Sequence, residues 1–186
     1  NAQKFEHKGL TYCATCDGPL YSDMDVAVIG GGNAAFDSAA QLMAYCKTVT
    51  ILNRSENFRA DPGTIEAVTK NANVKIIKNA VPTSVGGDKF VGSITYKDAK
   101  TNNESTLNVS GIFVEIGSLP NTDFVKKLIE LDNTNHIPVD PRTQQTKIKG
   151  IWSAGDCTDG LYHQNNIAVG DAVKAIENIY SHLKSR

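Results

Sequence analysis

The chain is poor in the features that mark several large protein classes. No stretch approaches the roughly 18 consecutive apolar residues that a membrane span needs, and Asn1-Ala2-Gln3-Lys4 has no signal-peptide pattern. There is no Lys/Arg run and the formal net charge is −1, so neither a nucleic-acid surface nor an anionic membrane is indicated as partner. Cysteine is scarce: Cys13, Cys16, Cys46 and Cys157 contain one close pair, which is no disulfide framework. Asn53, Asn103 and Asn108 head glycosylation sequons, which without a secretory signal are read as chance. A cytoplasmic location is the expectation. There is no low-complexity segment and no internal repeat.

What is present is an ordinary globular mixture, 40% apolar and 21% charged, long enough for one or two compact units with a real core. Two stretches stand out. In Tyr12-Cys13-Ala14-Thr15-Cys16-Asp17-Gly18-Pro19, two cysteines can face each other across one turn. Such a pair can close a disulfide, open to a dithiol, or clamp a metal. Asp17 follows the second sulfur and can serve as an acid/base group or simply as a turn residue before Gly18. Structural zinc usually asks for four ligands, and the remaining Cys and His residues offer no second close pair. No metal site is expected.

The second stretch is Asp25–Ile29, a β-branched run expected as a buried parallel strand, feeding Gly30-Gly31-Gly32-Asn33-Ala34-Ala35. A helical pattern follows at Phe36, Ala39, Ala40, Met43 and Cys46, then a strand over Thr48–Leu52. Strand, G-x-G-x-x-A turn, helix and strand in this order form the dinucleotide fingerprint. Its glycines let the backbone approach a pyrophosphate held at a helix N-terminus. Gly30, Gly32, Asn33 and Ala34 are therefore candidate cofactor contacts. The tip of the second strand reads Asn53-Arg54-Ser55, with Arg59 soon after and no carboxylate at the tip. Two guanidiniums suit a 2′-phosphate, which favours NADP over NAD; the alternative is ordinary solvated charge.

Further along, Asp61-Pro62 opens a helix expected over 61–73, and Val74–Ile77 is a strand. Short alternating runs at Val81–Val85, Phe90–Tyr96 and Ser105–Val109 predict an antiparallel meander on one face of the parallel sheet. The run Gly111–Gly117 is apolar and ends on a glycine, Gly117, that a ligand backbone could approach. Residues 1–11 read as a linker without a core of their own. The tail predicts a turn at Ser118–Asn121, a short helix over Phe124–Leu131 capped by Asp123, and strands at Ile137–Val139 and Gly150–Ala154. A last helix over Ile167–Leu183 carries an apolar stripe that nothing in 118–186 is wide enough to cover, so self-association or poor solubility is expected. Cys46 reads as a core residue, and Cys157 as packing beside Asp156.

These motifs, together with Phe58-Arg59-Ala60, the stretch Gly150-Ile151-Trp152-Ser153-Ala154-Gly155-Asp156 and Tyr162-His163-Gln164, closely resemble those of low-molecular-weight thioredoxin reductases, in order and across essentially the whole chain. The related flavoprotein subunit of alkyl hydroperoxide reductase shares most of them. The resemblance implies an α/β fold: a Rossmann-like NADPH domain over residues 1–116, with a parallel sheet and an antiparallel meander, and the C-terminal part of an FAD domain over 117–186. It implies electron flow from NADPH through FAD to a Cys13–Cys16 disulfide and on to thioredoxin or a thioredoxin-like protein. Cys16 would face the flavin, Cys13 would attack the partner, and Asp17 would serve as acid/base. Gly155, Asp156, His163, Gln164 and Asn165 would lie along FAD. A homodimer is implied for the full-length protein, with domains that rotate between two alignments. Two motifs depart from the family: His-Arg-Arg is here Asn53-Arg54-Ser55, and Arg-Gln-Ala is His163-Gln164-Asn165. The family's first glycine fingerprint, for the ADP half of FAD, does not occur, so a fragment with little FAD retention and no turnover of its own is expected. The alternatives are a flavoprotein serving a peroxide-reducing partner, one fed by a donor other than NADPH, or a flavin-free NAD(P)H-binding module.

Overall fold

The computed structural model describes residues 1–117 and 119–184 and divides into two compact units, Asn1–Gly117 and Ser118–Arg186. The turn expected at Ser118–Asn121 begins on Ser118, which lies outside the described residues.

The first unit is built on a five-stranded parallel sheet, β1 (Leu10–Thr11), β2 (Asp25–Ile29), β3 (Thr48–Asn53), β4 (Val74–Lys78) and β8 (Gly111–Val114), in the order β1-β8-β2-β3-β4. Three further strands, β5 (Ala80–Gly87), β6 (Val91–Asp98) and β7 (Glu104–Asn108), form a separate antiparallel sheet. Val26, Ala27 and Val28 of β2 have no exposed surface, which is why this strand reads as a continuous apolar run and not as an alternation. Val26 and Val28 meet α2 (Asn33–Leu42) and α3 (Pro62–Thr69) on one side, in a core with Phe36, Ala39 and Leu42. Ala27, Leu52 and Ile112 meet Val85, Val91 and Ile94 of the meander on the other. The α/β architecture and the placing of the meander on one face of the parallel sheet are as the sequence predicts.

Boundaries moved where tertiary contacts rule. The first long helix is Asn33–Leu42, and Cys46 stays buried in the turn beyond it. The second is Pro62–Thr69, with Pro62 in its first turn and Asp61 Oδ1 accepting from the N–H groups of Gly63 (2.9 Å) and Thr64 (3.2 Å). Removing that cap in Asp61→Ala should cost about 1 kcal/mol. The expected readout is a melting temperature lower by roughly 2–4 °C in a chain of this size.

The N-terminal eleven residues are no linker. A 3-10 turn, Ala2–Phe5, buries Phe5 to 1% exposure, Leu10 is buried with it, and β1 pairs in parallel with β8. Two strand residues are too few to show a period, so only their burial reveals them.

In the second unit, α4 (Asn165–Lys184) spans the expected final helix. Val169, Val173, Ile176, Tyr180 and Leu183 on its stripe are all exposed. The expected helix over Phe124–Leu131 is instead a series of turns closed by Val125 N–H to Thr122 O and Leu128 N–H to Val125 O. Asp123 takes the ammonium of Lys126 at 3.0 Å and makes no helix cap. The strands expected at Ile137–Val139 and Gly150–Ala154 shrink to isolated bridges, among them Ile137 with Thr158 and Gln145 with Trp152. Pro138 withdraws a donor from the first, and Gly150, at φ +88°, bends the entry to the second. Among the described residues no helix is long and apolar enough to cross a membrane.

Candidate functional site

The sheet order reverses at β2, whose neighbours β3 and β8 come from opposite directions along the chain. In open α/β sheets ligands bind beyond the carboxyl ends of the strands at such a point. There β2 gives way to Gly30, at φ +151°, whose N–H donates to Leu52 O at 3.1 Å. Gly32 is the N-cap of α2, and a methyl group added to it would meet nothing within 4 Å. The turn is stitched to the segment after β3. Arg59 N–H donates to Gly31 O at 2.7 Å, and Asp61 N–H donates to Asn33 Oδ1 at 2.8 Å. Asn33 therefore serves the scaffold through its side chain.

A cleft of about 790 Å³ opens over this end of the sheet. Its wall brings together Gly30, Gly32, Asn33 and Ala34 with Arg54, Arg59 and Gly117, all singled out from the sequence. Both arginines are exposed, and among the described residues neither guanidinium has a hydrogen-bond or ion-pair partner. Glu56 is not on the wall. Asn79, Lys100 and Lys78 engage it, and the hydrogen bond from Asn79, then Lys100, brings its pKa down to about 2 from 4.5. Because the folded pKa is depressed, this group contributes stability above about pH 4.5 and loses it as pH falls toward 2. The melting-temperature gap between wild type and Glu56→Gln should therefore close over that window, and salt should narrow it at neutral pH because the carboxylate is exposed.

Sequence reasoning missed Glu115. It lines the same cleft, half buried, and accepts from the Ser38 hydroxyl. Burial pushes its carboxyl pKa up, against the pull of that hydrogen bond. One acid interrupting the apolar run Gly111–Gly117 was the available signal.

Cys13 and Cys16 form a disulfide, with Cα atoms 5.3 Å apart. No cluster of three or more metal-ligating residues exists among the described residues. Cys13 caps the short helix α1 (Ala14–Asp17), and its sulfur accepts from Cys16 N–H at 3.1 Å. Cys16 is exposed and Cys13 half buried. Asp17 Oδ2 accepts a hydrogen bond from the buried Thr11 hydroxyl, which holds the carboxylate beside the turn. Tyr12, adjacent to Cys13, lines the cleft and donates to Glu6 at 3.0 Å. The other two cysteines remain thiols; burial raises the Cys46 pKa to about 11.

The remaining candidates lie in the second unit. Gly155 has φ +83° and its carbonyl accepts from Thr158 N–H and hydroxyl. Asp156, Gln164 and Asn165 are exposed, with Asn165 the first residue of α4. The His163 ring stacks on that of His136, centroids 5.3 Å apart.

Comparison with known proteins gives concordant results. The family model described as pyridine nucleotide-disulphide oxidoreductase matches residues 1–174. Among curated proteins, the chain is 37% identical over 181 residues to an NADH dehydrogenase of Bacillus subtilis, covering 97% of this chain and 35% of that protein. It is 38% identical over 177 residues to an alkyl hydroperoxide reductase component of Staphylococcus aureus, covering 95% of this chain and 35% of that protein. Among solved structures, the thioredoxin reductase of Streptococcus pyogenes superposes with a TM-score of 0.85 at 31% identity, covering 96% of this chain and 58% of that one. The chain thus spans about a third of the length of these curated relatives.

Proposed function

Because the chain belongs to the pyridine nucleotide-disulphide oxidoreductase family, we propose that it is the disulfide-bearing part of an FAD- and NADPH-dependent thioredoxin reductase. One observation carries the reading: a Cys13–Cys16 disulfide on a helical turn, next in sequence to a tyrosine on the wall of a glycine-floored cleft. In this reading residues 1–116 are the NADPH domain and 117–186 are part of an FAD domain. The likeness to the reductases extends the proposal to a homodimeric, cytoplasmic protein.

The residues fit a nicotinamide dinucleotide. The space around Gly32 is open, α2 begins there, and Arg54 and Arg59 are unpaired cations on the same wall. In the second unit the exposed Asp156 carboxylate can accept from ribitol hydroxyls beside Gly155, and His163, Gln164 and Asn165 stand at the start of α4. When bound at these residues, the cofactors would supply the two-electron chemistry that reduces the disulfide.

The chain's own residues do the rest. Two electrons and two protons open the Cys13–Cys16 bond to a dithiol. The Cys16 N–H then favours thiolate at Cys13, since a hydrogen bond to the charged sulfur stabilises it. That thiolate attacks the partner's disulfide, forming a mixed disulfide and releasing one partner thiolate. Cys16 attacks the Cys13 sulfur, restores the intramolecular bond and releases the second. Asp17, held by Thr11, takes the proton from a cysteine and returns it to the leaving sulfur.

The test uses the full-length protein under anaerobic conditions. Its flavin band should bleach with NADPH, and oxidised thioredoxin should then gain two thiols per bleached flavin. The alkyl hydroperoxide reductase relative favours a second reading, in which the dithiol feeds a peroxide-reducing partner. Bleaching followed by electron transfer only to such a peroxidase would replace the first reading with the second. A full-length protein that takes up no flavin would leave a binding module.

A further inference from the structure

The tip of β3 holds an acceptor that lacks a donor, on a residue that is almost wholly buried. Asn53 is 4% exposed, and its Nδ2 donates to the carbonyls of Ser55 (2.8 Å) and Asn57 (3.1 Å). Two carbonyls can face only the amide nitrogen, so the orientation of the group is fixed and Oδ1 points the other way. There it leans on the glycine turn: a methyl group added to Gly31 would lie 2.2 Å from it. Among the described residues nothing donates to Oδ1, and Asn53 and Gly31 both line the cleft. Asn53 Oδ1 keeps accessible surface, unlike the buried Gln144 Oε1, so a donor on a ligand in the cleft can reach this fixed acceptor.

Position and polarity say which donor. The end of this strand, after a glycine turn and one helix, is where a dinucleotide site meets the 2′ position of the adenosine ribose. A carboxylate there accepts from the hydroxyl and repels a 2′-phosphate; an amide oxygen accepts without the repelling charge. The carboxylate in the following loop, Glu56, does not line the cleft and is engaged by Lys78, Lys100 and Asn79.

We infer that Asn53 Oδ1 accepts a hydrogen bond from the adenosine 2′-hydroxyl of NAD(H), so that the site binds NAD(H) as well as NADP(H), the 2′-phosphate of the latter being left to Arg54 and Arg59. This deepens the proposed function and rests on its reading of the cleft as a dinucleotide site. Neither coenzyme is strongly excluded, because each feature that recognises one does little harm to the other.

The experiment is calorimetric titration of the full-length protein with NADP+ and NAD+, which share the adenosine half and deliver no electrons to the flavin. Dissociation constants within about tenfold of each other are expected, the difference made by one or two polar contacts. Preference for NADP+ by more than about a hundredfold, too large for such contacts, would overturn the inference while leaving the dinucleotide site intact. Binding of neither would overturn the reading of the cleft and this inference with it. Asn53→Ala supplies a second readout. Loss of the acceptor should weaken NAD+ about five- to tenfold and NADP+ less. A role confined to holding the loop predicts the opposite, since Ser55 and Asn57 lie between Arg54 and Arg59 and NADP+ would then suffer at least as much. The wild-type ratio stands as a test even if the variant melts.

Discussion

Cys13→Ser in the pre-reduced protein should slow reduction of a disulfide partner by about a thousandfold or more, since a hydroxyl supplies essentially no anion at neutral pH. Cys46 and Cys157 cannot substitute. Cys46 is buried in the α2 core, and its pKa near 11 keeps it protonated at pH 7. Cys157 lies in the second unit, where its sulfur is engaged with the Ser153 hydroxyl and Ala154 carbonyl. Cys16→Ser should behave differently. It keeps Cys13 and the backbone N–H that steadies its thiolate, so the first attack proceeds and the mixed disulfide accumulates because the resolving sulfur is gone. Stopped-flow rates with oxidised thioredoxin, after reduction by dithiothreitol and its removal, measure the first. Non-reducing electrophoresis and intact mass measure the second. A Cys13→Ser protein retaining a tenth of the wild-type rate, or a trap that forms on Cys16 in preference to Cys13, would reverse the assignment of roles.

The glycine turn was legible in the sequence because every signal it sends is local. Val26 to Val28 are apolar without a break, Gly30 and Gly32 follow at once, and Phe36 and Ala39 repeat at helical spacing, all within one βαβ unit. The Asp61-Pro62 cap was legible for the same reason. What escaped depends on contacts distant in sequence. Phe5 and Leu10 are core residues only because the meander, some 80 residues on, provides a surface to cover them. Phe124–Leu131 has the residues of a helix, yet the segment stays in turns, with Asp123 paired to Lys126. Asn53 could be read as the strand tip, but not as a side chain with its nitrogen spent on the loop and its oxygen left over for the cleft.

That turn also yields the sharpest contrast between holding the fold and holding a ligand. Gly30→Ala should destabilise the protein by about 2–4 kcal/mol, a large share of the 5–15 kcal/mol that keeps a typical domain folded. Two causes act together. At φ +151° an L side chain is strained wherever it sits. The new Cβ would also lie 2.3 Å from the carbonyl oxygen of Glu115 and 2.8 Å from Ala35 Cβ, both fixed to backbone that cannot retreat without parting β8 from β2 or shifting α2. Gly32→Ala, two residues on, meets neither obstacle: its backbone is extended at φ −100° and its Cβ would enter open space. Urea unfolding should place Gly32→Ala within about 0.5 kcal/mol of wild type, as for an unstrained surface change. In the proposed function that open space is where the phosphates would approach the α2 N-terminus, so titration should show NADP+ binding weakened by about tenfold or more. If Gly32→Ala binds as wild type does, the pyrophosphate does not lie on this turn. If Gly30→Ala is as stable as wild type, the close approach of β2 to Glu115 is not what holds the turn in place.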